Sequence, residues 1–143
     1  MKKFILLIVV VGSLISSCIR EFETRTDFTI KNVSTHNVKL IVFDAGMPNQ
    51  NIKDTSFLLP PNSEIIYYYI LDGEDAPYNS PFGPADSIYI VFDDNLRIIY
   101  RRDDLNPRNI LDINSYDSEQ VDSWYKYQYF ITDEDYENAE NIE

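Results

Sequence analysis

Cysteine, histidine and positive charge are what this 143-residue chain has least of. It has one cysteine, Cys18, and one histidine, His36. A single cysteine leaves no disulfide within the chain and no zinc or iron–sulfur site built on several thiolates. A single histidine leaves no His-rich metal centre. Lysine and arginine total 12 against 24 aspartate and glutamate residues, a net charge of −12, which argues against broad electrostatic contact with nucleic acid. No glycine-rich phosphate loop, nucleophile elbow or HExxH pattern is present. There is no internal repeat, no linker to a second domain and no amphipathic helix of normal length. One domain with a real core fits the length, and no cofactor is implied.

The N-terminus carries an address. Lys2 and Lys3 precede an unbroken apolar run from Phe4 to Val11, which Gly12, Ser13, Leu14 and Ile15 extend. The run is shorter than the ~20 apolar residues of a bilayer span and matches the core of a signal peptide. It ends in Ile15-Ser16-Ser17-Cys18, which resembles the lipobox of bacterial lipoproteins, with Ile15 and Ser17 at positions more often held by Leu and by Gly or Ala. The resemblance implies cleavage before Cys18, a diacylglycerol on its thiol and anchoring to the lipid bilayer of the outer membrane. Several acyl chains hold a protein stably where one holds weakly. The expected divisions are a signal peptide over 1–17, a lipidated tether over 18–26, a β-domain over 27–132 and an acidic helix or tail over 133–143. Glu21 and Glu23, interrupted by Phe22, resemble in part the acidic export signal of surface lipoproteins; a charged tether explains them equally.

Downstream, the pattern is that of strands. Strands are expected at Phe28–Lys31, Val38–Phe43, Thr55–Leu59, Glu64–Leu71, Ser87–Phe92, Leu96–Arg101 and Trp124–Ile131, with a short one at Ile110–Ile113. Glu64–Leu71 is apolar on both faces, which predicts a central strand. Asp93-Asp94-Asn95 is a hairpin signal, and Asp72 to Ala85 reads as a long loop. Thr132 before Asp133-Glu134-Asp135 reads as a helix N-cap. Seven or eight short strands without helical crossovers predict an all-β antiparallel sandwich, Ig-like or similar, with a small barrel as the alternative.

Few constellations suggest chemistry. His36 follows Ser34 and Thr35 in a predicted turn, which gives a hydrolytic triad neither pocket nor oxyanion hole. Acid groups at Asp72, Glu74 and Asp75, at Asp93-Asp94-Asn95, at Asp103-Asp104 with Asn106, and at Asp133-Glu134-Asp135 offer calcium-type oxygen ligands. Solvation is their plainer use, and no metal ligand set is assigned. Arg97, Arg101, Arg102 and Arg108 could receive an anionic ligand, although cross-strand pairing with acids is the simpler expectation. Tyrosine is the abundant residue, eleven in all. Tyr67-Tyr68-Tyr69 alternate between faces. Trp124, Tyr125, Tyr127 and Tyr129 crowd the last long strand and are the expected ligand-contacting residues, with half-buried core tyrosines as the alternative. Asn32-Val33-Ser34 matches a eukaryotic glycosylation sequon, and Asp86-Ser87-Ile88 resembles the O-glycosylation pattern of Bacteroidota envelope proteins.

In style the chain resembles the small lipoproteins of Bacteroidota envelopes. The likeness rests on the lipobox, on Asp86 to Asp94 and on the ending Tyr129 to Ala139. It implies a compact β domain on the outer membrane, facing the periplasm or the cell surface, and transfers no catalytic residue. The expectation is a non-enzymatic module that binds a protein or a glycan. Alternatives are an accessory subunit of an envelope complex, or a hydrolase using carboxylates from separate loops.

Overall fold

The computed structural model describes residues 23–44, 55–72, 80–122 and 124–142. The expected signal peptide, Cys18, Glu21, Glu74 and Asp75 lie outside these residues. Nine strands and one short helix follow in chain order: β1 (Glu23–Asn32), β2 (Val38–Asp44), β3 (Thr55–Leu59), β4 (Glu64–Asp72), β5 (Ala85–Phe92), β6 (Leu96–Arg101), β7 (Asp117–Val121), β8 (Trp124–Ile131), α1 (Asp133–Glu137) and β9 (Glu140–Asn141). They form two sheets, ordered β4-β1-β8-β7 and β3-β2-β5-β6-β9. The fold is an all-β sandwich of two open sheets, not a closed barrel.

Alternation builds the core. On β1, Phe28 and Ile30 point inward; on β8, Tyr129 and Ile131 do so. They meet Val38 and Leu40 of β2, Leu59 of β3, Ile88, Ile90 and Phe92 of β5 and Tyr100 of β6. Each such side chain taken from water contributes about 1.5–3 kcal/mol. Phe28 lies at the centre: it stacks on Tyr127 at 5.1 Å and meets Tyr69 and Tyr116 edge-on.

The β5–β6 hairpin forms where Asp93-Asp94-Asn95 placed it. Asp93 and Asp94 have φ of 47° and 58°, left-handed values that Asp and Asn tolerate well, in a three-residue loop closed by the Asn95 N–H donating to the Phe92 carbonyl at 3.0 Å. Thr132 caps α1 in a full capping box: its hydroxyl accepts from the Asp135 N–H, and the Asp135 carboxylate accepts from the Thr132 N–H.

Within that sandwich, several elements differ from the expectation. The strand placed at Ile110–Ile113 is absent; Ile110 and Leu111 are buried in turns, held because Asn109 Oδ1 accepts from the Leu111 N–H while its Nδ2 donates to the Arg101 and Asp104 carbonyls. The strand in that region is β7, whose side chains are exposed throughout. β4 is an edge strand, not a central one; its second apolar row faces outward. β1 begins at Glu23, inside the stretch expected to be tether. The sheets are not wholly antiparallel either: β1 and β8, the first and last long strands, pair in parallel from Arg25↔Trp124 to Asn32↔Ile131. The acidic tail resolves into α1 and then β9, which pairs with β6.

Candidate functional site

The expected aromatic contact surface is split between two faces. Tyr125, Tyr127 and Tyr129 do share a face of β8, but it is the inward one. Tyr129 is 1% exposed, its hydroxyl donates to the Arg108 carbonyl at 2.8 Å, and burial raises its pKa. It is a neutral core phenol and meets no ligand. Tyr127 packs on Phe28. Tyr67 and Tyr69 also point inward. Burial pushes the Tyr67 hydroxyl up to about 12, and it has no partner among the described residues. Tyr69 donates to the Pro81 carbonyl at 2.6 Å. Trp124 alone of the four expected residues faces outward.

On that outer face the structure assembles a different group, from three strands. Arg25 on β1 lies in register with Trp124 on β8 and one diagonal from Tyr68 on β4. Its guanidinium carbon is 4.4 Å from the Trp124 ring centre and 5.5 Å from that of Tyr68. Nε donates to Asp27 Oδ1 at 2.6 Å. That hydrogen bond fixes the cation between the rings and is the main reason the Arg25 pKa is raised. Tyr68 is 66% exposed and Trp124 41%. Ile66 and Ile70 extend the surface along β4, and Val121 extends it beside Trp124. Rigid rings around a pinned cation offer flat apolar area with a polar handle at low ordering cost. Lys126, Gln128 and Thr29 share this face by register. The surface is an open sheet face.

The four arginines divide. Arg102 donates to the Gly83 and Ala85 carbonyls. Arg108 grips the buried Asp135 with two bonds of 2.8 and 2.7 Å, and donates to the Phe130 carbonyl. Its pKa is raised chiefly by Asp135. Both are therefore structural. Arg97 and Arg101 make no ion pair with the acids among the described residues, contrary to the expected pairing, and line one depression of about 380 Å³ on the other sheet.

His36 serves the scaffold. Its Nδ1 lies 2.6 Å from Asp93 Oδ2, and its ring stacks on Tyr136 at 3.5 Å. Asp93 Oδ1 accepts from the Asn37 N–H at 3.0 Å. The cluster joins the β1–β2 turn, the β5–β6 turn and α1. Asp133 accepts from the Thr35 N–H and hydroxyl. The His36 contact, then the Asn37 N–H, lowers the Asp93 pKa; the Thr35 N–H lowers that of Asp133. Among the described residues no three His, Cys, Asp or Glu side chains gather as metal ligands would. The sequon at Asn32 is structural as well, since Asn32 is fully buried.

These shifts fix an acid limb to the stability curve. Folded-state values below the unfolded ~3.9 mean that the unfolded chain takes up protons first. The stabilisation by Asp93 and Asp133 is therefore present above that value and disappears as pH falls through the folded-state values. Asp93→Asn is expected to lower Tm at pH 6, with the gap to the unaltered protein closing under strongly acidic conditions. Thermal unfolding followed by circular dichroism across that range checks it; a gap independent of pH would refute it.

No family model matches the chain, and no curated protein does. A similar solved structure is 3-chlorocatechol 1,2-dioxygenase from Rhodococcus opacus 1CP, with 11% identity and a TM-score of 0.31; the match covers 80% of this chain and 61% of that one. The chain thus spans less than two thirds of that structure, and likeness this slight carries over neither fold nor activity.

Proposed function

We propose that the protein is a lipid-anchored binding module of a bacterial outer membrane, which takes a protein or glycan ligand on the outer face of sheet β4-β1-β8-β7 and performs no catalysis. The observation that carries the reading is the exposed Tyr68–Arg25–Trp124 stack. A soluble β-domain rarely leaves two large aromatics, two isoleucines and a fixed guanidinium together in water without a use for them. Among the described residues no helix is long and apolar enough to cross a membrane; the proposed anchor is lipid carried by Cys18, on the strength of the lipobox-like Ile15-Ser16-Ser17-Cys18.

Two variants test the proposal. Trp124→Ala combined with Tyr68→Ala is expected to abolish capture of a neutral glycan on an array or of a protein partner in pull-downs from envelope extracts, with Tm lowered by about 5 °C at most because both side chains are partly exposed. Cys18→Ser is expected to move the protein from the membrane fraction to the soluble one. If the unaltered protein captures no glycan and no partner, or the double variant captures as before, the assigned face is wrong.

A further inference from the structure

The depression between β6 and the segment after α1 stands apart from the aromatic face, on the opposite sheet. Its lining includes Arg97, Ile99, Arg101, Asn138 and Glu140. Arg97 and Arg101 are four residues apart on one strand and so project from the same face, with Cα atoms about 13 Å apart. The Arg97 guanidinium lies 5.6 Å from the Tyr89 ring centre, and Tyr89 is itself packed on Phe43 at 4.6 Å. That arginine is thus positioned without being neutralised.

The charge balance makes this notable. The chain has twice as many acids as bases, yet neither guanidinium forms an ion pair among the described residues. Asp104 lies close, but its carboxylate accepts from the Arg101 backbone N–H at 2.8 Å. Glu140 is in register with Arg97 across the β6–β9 pair and still makes no salt bridge to it. Two guanidinium forks facing a common depression suit two acid groups borne by one ligand, since each fork binds a carboxylate or sulfate with paired hydrogen bonds.

We infer that this depression is a binding site for an acidic sugar, a uronate or a sulfated unit, with Arg97 and Arg101 taking the acid groups. Glu140 adds an acceptor beside the two cations: its carboxylate accepts hydrogen bonds from hydroxyl groups, and acidic sugars carry hydroxyls beside their acid groups. The Asn138 side-chain carbonyl offers a further acceptor, its Nδ2 being occupied by the Glu134 carbonyl. This assignment does not depend on the aromatic face.

The test is calorimetric titration of the full chain, extracted from membranes in mild detergent. The probes are a hexagalacturonate, a chondroitin sulfate hexasaccharide, neutral maltohexaose and inorganic sulfate. Binding of at least one acidic sugar is expected. Arg97→Gln with Arg101→Gln should weaken it by roughly tenfold or more without lowering Tm. Trp124→Ala with Tyr68→Ala should leave it unchanged, which separates failure here from failure of the proposed function. The inference is overturned if neither acidic sugar binds, if the arginine variant binds equally well, if maltohexaose displaces the bound acidic sugar as effectively as the acidic sugars do, or if inorganic sulfate competes at the same concentration as the sugars.

Discussion

Asn32→Ala is expected to destabilise the protein by about 3–4 kcal/mol, because buried polar groups left without partners cost about 1–3 kcal/mol each. Asn32 is fully buried at the end of β1. Its Nδ2 donates to the Leu59 and His36 carbonyls, both at 2.8 Å. Its Oδ1 accepts from the Ser34 N–H at 3.0 Å and the Ser34 hydroxyl at 2.7 Å. Leu59 belongs to the other sheet, so one amide joins the two sheets and closes the turn between β1 and β2. Alanine removes all four bonds and supplies nothing in their place. Tm is expected to fall by roughly 10–15 °C, scaled to a domain of this size. Asn32→Asp keeps the acceptor, loses the donor and sets a charge against two carbonyls; it should be no milder. Ser34→Ala removes the hydroxyl's bond to Asn32 Oδ1 and its two longer contacts with the His36 carbonyl and N–H, and should cost about 1–2 kcal/mol. Urea unfolding of the three variants checks the order, and an Asn32→Ala midpoint close to that of Ser34→Ala would refute this account.

Asp135→Ala is the second large effect, about 3 kcal/mol, within the range for removing one member of a buried ion pair. Asp135 is 3% exposed. It receives both Arg108 bonds and also the Thr132 N–H and hydroxyl. Alanine therefore removes the carboxylate half of the capping box on α1 and strands a guanidinium packed over Tyr129 at 5.3 Å. Arg108 is partly exposed and can turn to water, which holds the cost below the top of the range. Arg108→Met with Asp135→Ala should recover part of the loss, since no charge is then left unpaired. A double variant less stable than Asp135→Ala would show that the guanidinium contributes more through its Phe130 carbonyl bond and its packing than through the pair.

The strands were legible because alternation survives folding. Phe28 and Ile30, or Ile88 and Ile90, read as one face in the sequence and form one face in the core. The Asp93-Asp94-Asn95 turn and the Thr132 cap were legible because their chemistry is local. What misled was apolar content with no local sign of direction. Ile66, Tyr68 and Ile70 read as a second buried face, yet they cover the outside of an edge strand. Tyr125, Tyr127 and Tyr129 read as a contact surface, yet they face the core. β7, Asp-Ser-Glu-Gln-Val, has no hydrophobic pattern; its strand exists through pairing with β8. The Arg25, Tyr68 and Trp124 group spans 100 positions of chain, and its members meet through the order β4-β1-β8. Asn32 and Asn109 look like turn residues in the sequence; their buried bonding appears with the packing around them.

The parallel pairing of β1 with β8 also governs the order in which the molecule can come into being. During synthesis β1 has one neighbour, β4, within reach about 40 residues later. Its other neighbour arrives only with Trp124–Ile131. Long-range pairing of this kind delays folding, because the ordering cost of the intervening chain precedes the reward. A nascent chain therefore stays incomplete on that side of β1 until Trp124–Ile131 has been made. Loss of the residues from Trp124 onward would remove β8, α1 and β9 together, and would leave Phe28 and Ile30 with half of their wall missing.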